Sequence, residues 1–269
     1  MPAQPLLGQW APAHAGAGSR AEPLRSCSRS GRRALRGAAA LVLCACTSGA
    51  AAQLSGTLTG VSDYRYRGNT LTDREPAAQV GFTYDDPKGW YGGVFGSTVR
   101  LKPPGGTSSY FQAIGYGGYA TRVAEGLSVE AGGDYSAFAE ANELNYAELY
   151  LGAATELVNG RVYYSPRYFG DSSSAVYGEI NATQPLIDSV RLFLHLGYLS
   201  YRYESPYGLV PPTRDVTQRV WDGRVGLRID FDPFQLEVAW VGISNHFAAF
   251  LITGATSPNG FVASLSLSF

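Results

Sequence analysis

Chemistry in this chain would have to come from charged and hydroxyl side chains set at every second position of apolar segments. In VRLFLHLGYL (190–199), Arg191 and His195 share one parity while Val190, Leu192, Leu194 and Leu196 share the other. In RVWDGRVGLRID (219–230), Asp222, Arg224, Arg228 and Asp230 oppose Trp221, Val225, Leu227 and Ile229. LSVEAGGDYSAF (127–138) sets Glu130 and Asp134 against Leu127, Val129, Ala131 and Tyr135, and FQLEVAW (234–240) sets Gln235 and Glu237 against Phe234, Leu236, Val238 and Trp240. Two chemistries are open to such residues. Around one interior they would border a narrow aqueous path and set its ion selectivity, or pair across it and seal it. Near an outer rim, a histidine with a serine and a carboxylate would serve a hydrolase.

The hydrolase is the alternative reading. From Gln53 onward the histidines are His195 and His246. His195 has Ser200 and Tyr201 on its own strand, but neighbours along one strand do not make a triad by themselves. GxSxG, HExxH and a glycine-rich phosphate loop are missing. No catalytic residue, metal site or cofactor is therefore assigned, and the chain is expected not to be an enzyme. The candidate pore-lining residues are Asp63, Arg65, Arg67, Arg100, Glu130, Asp134, Glu148, Arg161, Arg167, Glu179, Arg191, His195, Arg224, Arg228 and Glu237.

The elements that would hold them are strands. Glycine (33 of 269 residues) and tyrosine (18) are abundant and charge is low at 16%. Segments of about ten alternating residues recur between breaks of Gly, Pro, Asp or Asn. Twelve strands are expected over 56–67, 77–85, 90–101, 109–121, 127–138, 144–154, 161–169, 174–184, 189–203, 218–230, 234–244 and 260–269. Tight breaks such as DDPKG (85–89) and VAEG (123–126) alternate with mostly longer ones such as GNTLTDREP (68–76) and ESPYGLVPPTRDV (204–216). Tight turns facing the periplasm, longer outer loops and an even strand number predict a closed antiparallel transmembrane β-barrel. A soluble β-sandwich or lipocalin-like barrel would alternate too, with its apolar face inward. Tyr64, Tyr66, Trp90, Tyr91, Tyr110, Tyr168, Tyr198, Trp221 and Trp240 lie near strand ends, where the membrane reading puts aromatic girdles.

The N-terminal segment fits export. Arg29, Arg32, Arg33 and Arg36 precede the apolar run AAALVLCAC (38–46), and Ala50 and Ala52 stand at −3 and −1 of a cleavage site after Ala52. Residues 1–52 are read as an extension with a cleaved secretory signal, and 53–269 as the barrel. LCAC (43–46) partly resembles a lipoprotein site that would acylate Cys46. All three cysteines, Cys27, Cys44 and Cys46, precede the cut, so the remainder has neither a disulfide nor a thiolate metal site. Beyond it stand 15 Lys+Arg against 21 Asp+Glu, a net charge of −6 without the basic cluster of a nucleic-acid binder. Outer-membrane lipid and small polar solutes are the expected partners, with no nucleic acid.

Several stretches carry a family resemblance: SDYRYRG (62–68), TDREPAA (72–78), GWYGGVFGS (89–97), YAELYLG (146–152), YSPRYFG (164–170) and WDGRVGL (221–227). Together they resemble the TorF-type porins, a family of exported proteobacterial barrels. The resemblance implies a bacterial outer-membrane location and a porin-like role. The end of the chain, GFVASLSLSF, puts Phe261, Ala263, Leu265, Leu267 and Phe269 at alternate positions. It resembles the C-terminal signature through which the barrel-assembly machinery recognises a closing strand, with Phe269 as the assembly signal.

Overall fold

The computed structural model describes residues 53–103, 106–170, 174–203, 216–245, 254, 256 and 258–269. The segment read as an export signal, with its cysteines, His246 and most of the two longest loops lie outside the described residues. Fourteen strands are β1 (Gln53–Val61), β2 (Arg65–Tyr66), β3 (Asn69–Thr70), β4 (Ala77–Asp85), β5 (Trp90–Leu101), β6 (Ser109–Ala124), β7 (Leu127–Phe138), β8 (Tyr146–Ala154), β9 (Val158–Ser165), β10 (Ala175–Ile187), β11 (Val190–Tyr203), β12 (Val216–Phe231), β13 (Phe234–Ile243) and β14 (Gly260–Ser268). Twelve of them form one closed barrel in chain order, and β2 with β3 makes a separate small hairpin.

Closure is antiparallel, with Leu58 opposite Leu267 and Gly60 opposite Leu265. Phe269 completes the seam: its N–H donates to the Gly56 carbonyl at 3.0 Å, and the Gly56 N–H donates back at 2.8 Å. A Cβ on Gly56 would lie 2.5 Å from the Phe269 ring, so glycine here lets the ring lie over the strand, and any side chain would displace it. No strand edge remains to leave backbone groups unpaired in lipid.

The medium outside is decided by what the strands expose. Leu149 and Leu151 are each 68% exposed, Ile180 59% and Phe261 79%. An apolar surface of this extent facing outward from every strand is a lipid-facing surface, and it reverses the sidedness that the sandwich or lipocalin reading required. Trp90, Tyr110, Trp221 and Trp240 are exposed as girdle residues, whereas Tyr64, Tyr66, Tyr91 and Tyr168 are buried inside the barrel. The girdle expectation fails for Tyr91 because it holds an inward-facing position of β5, and for the other three because the chain leaves the barrel wall before them, after β1 and after β9.

Both described chain ends and the short links 86–89, 125–126, 155–157, 188–189 and 232–233 share one end of the barrel, the turn end; the longer links share the other, the loop end. Several strand boundaries differ from expectation, with the largest shifts at β1 and β9. β9 starts at Val158 because Thr155 closes the turn early, donating its N–H to the Val158 carbonyl at 2.8 Å. β1 stops at Val61, and the chain then turns into the lumen.

Candidate functional site

The alternation of DYRYR (63–67) continues that of β1, but the segment belongs to the β2–β3 hairpin, enclosed on both faces. Asp63 ties its base: its carboxylate accepts from the hydroxyls of Thr70 (2.5 Å) and Thr72 (3.2 Å) and from Arg65 Nε (2.5 Å). The Tyr64 N–H donates to Thr72 Oγ1 at 3.1 Å, and the Leu71 N–H to the Tyr64 carbonyl at 2.8 Å. At the tip Arg67 (φ 49°) and Gly68 (φ 75°) both take positive φ, the geometry of a two-residue hairpin turn. A Cβ on Gly68 would stand 2.7 Å from Asp222 Cβ, so the tip abuts β12.

Arg67 latches the hairpin. Its Nη1 and Nη2 donate to the two carboxylate oxygens of Glu148 on β8 at 3.1 and 2.6 Å, and both side chains are 2% exposed. The Tyr66 hydroxyl donates to the same carboxylate at 3.1 Å. The guanidinium carbon lies 4.2 Å from the Tyr177 ring centroid, 4.7 Å from Tyr66, 5.2 Å from Tyr163 and 5.3 Å from Tyr168, an aromatic cage suited to a desolvated cation. Burial opposes the charge on Arg67, but Glu148 and the surrounding tyrosines hold the guanidinium well above its ordinary range. On the hairpin's flank, the Tyr64 hydroxyl donates to Gln112 Oε1 at 3.1 Å, and the Arg100 N–H donates to the Leu71 carbonyl at 2.7 Å.

Nearer the turn end, the inner face of β5–β9 is packed in the same manner. Arg161 donates to Glu130, which also accepts from the Tyr91 hydroxyl at 2.6 Å, and Tyr91 and Tyr150 share a hydroxyl contact of 2.8 Å. Gly132 makes room for the Tyr150 ring, whose Cζ would lie 2.5 Å from an added Cβ.

The opposite wall is open. A cavity of about 200 Å³ runs beside the hairpin along β10–β14, β1 and β4. Its wall is a belt of hydroxyls and amides, with Thr59 Oγ1 2.9 Å from Ser266 Oγ and Asn181 Nδ2 donating to Asn159 Oδ1 at 3.1 Å. Arg224 Nη2 and Arg228 Nη2 both reach Glu237, at 2.6 and 2.5 Å, and both guanidinium groups lie over the Phe193 ring. His195 sits between Asp222 (Nε2 to Oδ1, 2.9 Å) and Asn181 (Nδ1 to Oδ1, 2.7 Å), with the Tyr177 hydroxyl 3.1 Å from Nε2.

The candidate lining residues thus separate into groups. Arg65, Asp63, His195, Arg224, Arg228 and Glu237 border the cavity. Arg67, Glu148, Glu130, Arg161 and Glu179 are buried in the packed wall or its latch, with Asp134 half-buried on the inner face of β7. Arg191 pairs with Asp230 at 3.0 Å near the turn end. Two assignments are corrected. Arg100 shares the outward parity of Trp90 and Val94 and is exposed, and Arg167 follows the end of β9 in an exposed link. The candidate list omitted Asp222, although its parity was read as that of Arg224 and Arg228, and sequence reasoning missed the tyrosines of the cage. The available signal was parity, since Tyr146 and Tyr150 flank Glu148, Tyr163 follows Arg161, and Tyr177 precedes Glu179, each by two positions.

Similarity to known proteins follows the barrel. The KdgM porin superposes with a TM-score of 0.50 at 11% identity, covering 80% of this chain and 99% of that one. The NanC porin gives 0.49 at 11%, over 80% and 98%, and LpxR from Salmonella typhimurium 0.40 at 10%, over 80% and 99%. The likeness to the KdgM porin is one of fold. No curated protein matches this chain. Residues 45–269 match the family described as "Bacterial protein of unknown function (Gcw_chp)", and the chain belongs to that family.

Proposed function

We propose that the chain is a bacterial outer-membrane barrel through which small polar solutes or ions pass passively, with the β2–β3 hairpin as its restriction. The observation that carries this reading is the polar cavity beside the hairpin, bordered by wall residues from near the turn end (Gln235, Ser266) up to Asp63, Arg65 and Gly68 of the hairpin. The TorF-type resemblance of SDYRYRG agrees with it, because that stretch forms the hairpin itself. Export through the segment before Gln53, and recognition of the Phe269-ended strand by the assembly machinery, belong to the same reading.

A sealed barrel is the competing reading, favoured by the depth at which Arg67 is buried. Full-length protein purified from outer membranes and placed in a planar bilayer separates the two. Discrete conductance steps are expected, with larger steps for Glu148→Gln, which releases Arg67. A folded, heat-modifiable barrel that conducts in neither form would overturn the passage reading.

A further inference from the structure

The cavity is walled by charges that cancel. Among the described residues, its lining carries Arg65, Arg224 and Arg228 against an equal number of carboxylates, Asp63, Asp222 and Glu237. Each is held by a partner: Arg65 by Asp63, both arginines of β12 by Glu237, and Asp222 by His195. Between these groups the wall presents hydroxyls and amides, and Phe193 offers an apolar face. Arg224 Nε is buried without an acceptor among the described residues.

An ion moving into so narrow a space loses hydration, and a wall of zero net charge returns little of that cost. An uncharged solute rich in hydroxyls exchanges its water hydrogen bonds for those of the belt. We propose that the cavity selects small uncharged polyhydroxylated solutes over ions of equal size, and that Glu237 sets this preference by neutralising Arg224 and Arg228. The inference rests on the passage reading above and names its solute class.

The test is swelling of liposomes holding the full-length protein, in iso-osmotic glycerol, arabinose, gluconate or glucosamine. It is run on wild type and on Glu148→Gln, so that a docked hairpin does not hide the lumen. Glucose, added as the uncharged six-carbon match, is expected to permeate about tenfold faster than gluconate or glucosamine, with arabinose as a smaller uncharged reference. Glu237→Gln leaves a net positive wall and raises gluconate permeation about tenfold relative to the uncharged sugars. Arg228→Gln leaves a net negative wall and raises glucosamine instead, which keeps the test decisive if Glu237→Gln fails to fold. Equal rates for glucose, gluconate and glucosamine would leave passage standing and overturn the solute class. Exclusion even of glycerol from both backgrounds would overturn passage and this inference with it.

Discussion

Along β5–β10 the inward positions carry Tyr91, Tyr150, Tyr163 and Tyr177, with glycines such as Gly132 beneath the rings, and the wall is filled like a protein core. Along β13, β14, β1 and β4 the same parity carries Gln235, Ser264, Ser266, Thr57, Thr59 and Gln79, and space remains open. Both walls obey one alternation. The volume of the inward side chains decides which becomes core and which becomes conduit. Eight strands leave only enough interior for side chains to fill, whereas twelve enclose more than one wall of tyrosines can occupy. The hairpin makes up part of the difference by adding chain to the lumen, and it docks against the packed wall because that wall supplies Glu148 and the aromatic cage.

The contrast can be broken most directly at the latch. Glu148→Gln strands Arg67 without its buried partner, a change that costs about 3–5 kcal/mol when such a pair is broken. The hairpin should become open to protease at Arg65 and Arg67, and a hairpin as protected as in wild type would show that the cage alone holds it. A second comparison sets Gly132→Leu against Ser264→Leu. Overpacking the tyrosine wall should cost about 1–3 kcal/mol, while the added side chain at Ser264 meets open space and should leave the temperature of the heat-induced gel shift almost unchanged. Equal losses at the two sites would mean that both walls are equally packed. A small loss is expected at Thr59→Ala, which removes the hydroxyl contact to Ser266. One modest hydrogen bond beside water is worth about 0.5 kcal/mol, and a larger loss in urea unfolding would place Thr59 in a core rather than on a wetted wall.

Much of this was legible along the chain. β4, β5 and β7 run over 77–85, 90–101 and 127–138 as their alternation predicts, because lipid on one side and polar interior on the other impose a strict period of two. The hairpin was not legible. Tyr64 and Tyr66 alternate with Asp63, Arg65 and Arg67 as in a membrane strand, and only the carboxylate of Asp63, bonded to two threonines seven and nine residues on, bends the segment inward. The partners of Arg67 come from β8, β9, β10 and the link after β9, separations of about 80 to 110 residues that no local pattern carries.

The sequence by itself determined the strand number, the sidedness of most charges and the closing aromatic terminus, since each is a consequence of parity and of where the breaks fall. Tertiary structure alone decided which inward residues meet. Contacts across a closed lumen depend on register and side-chain volume summed around twelve strands, so whether Arg67 finds Glu148 is settled only when the barrel closes, whereas Glu237 meets its two arginines within the β12–β13 hairpin.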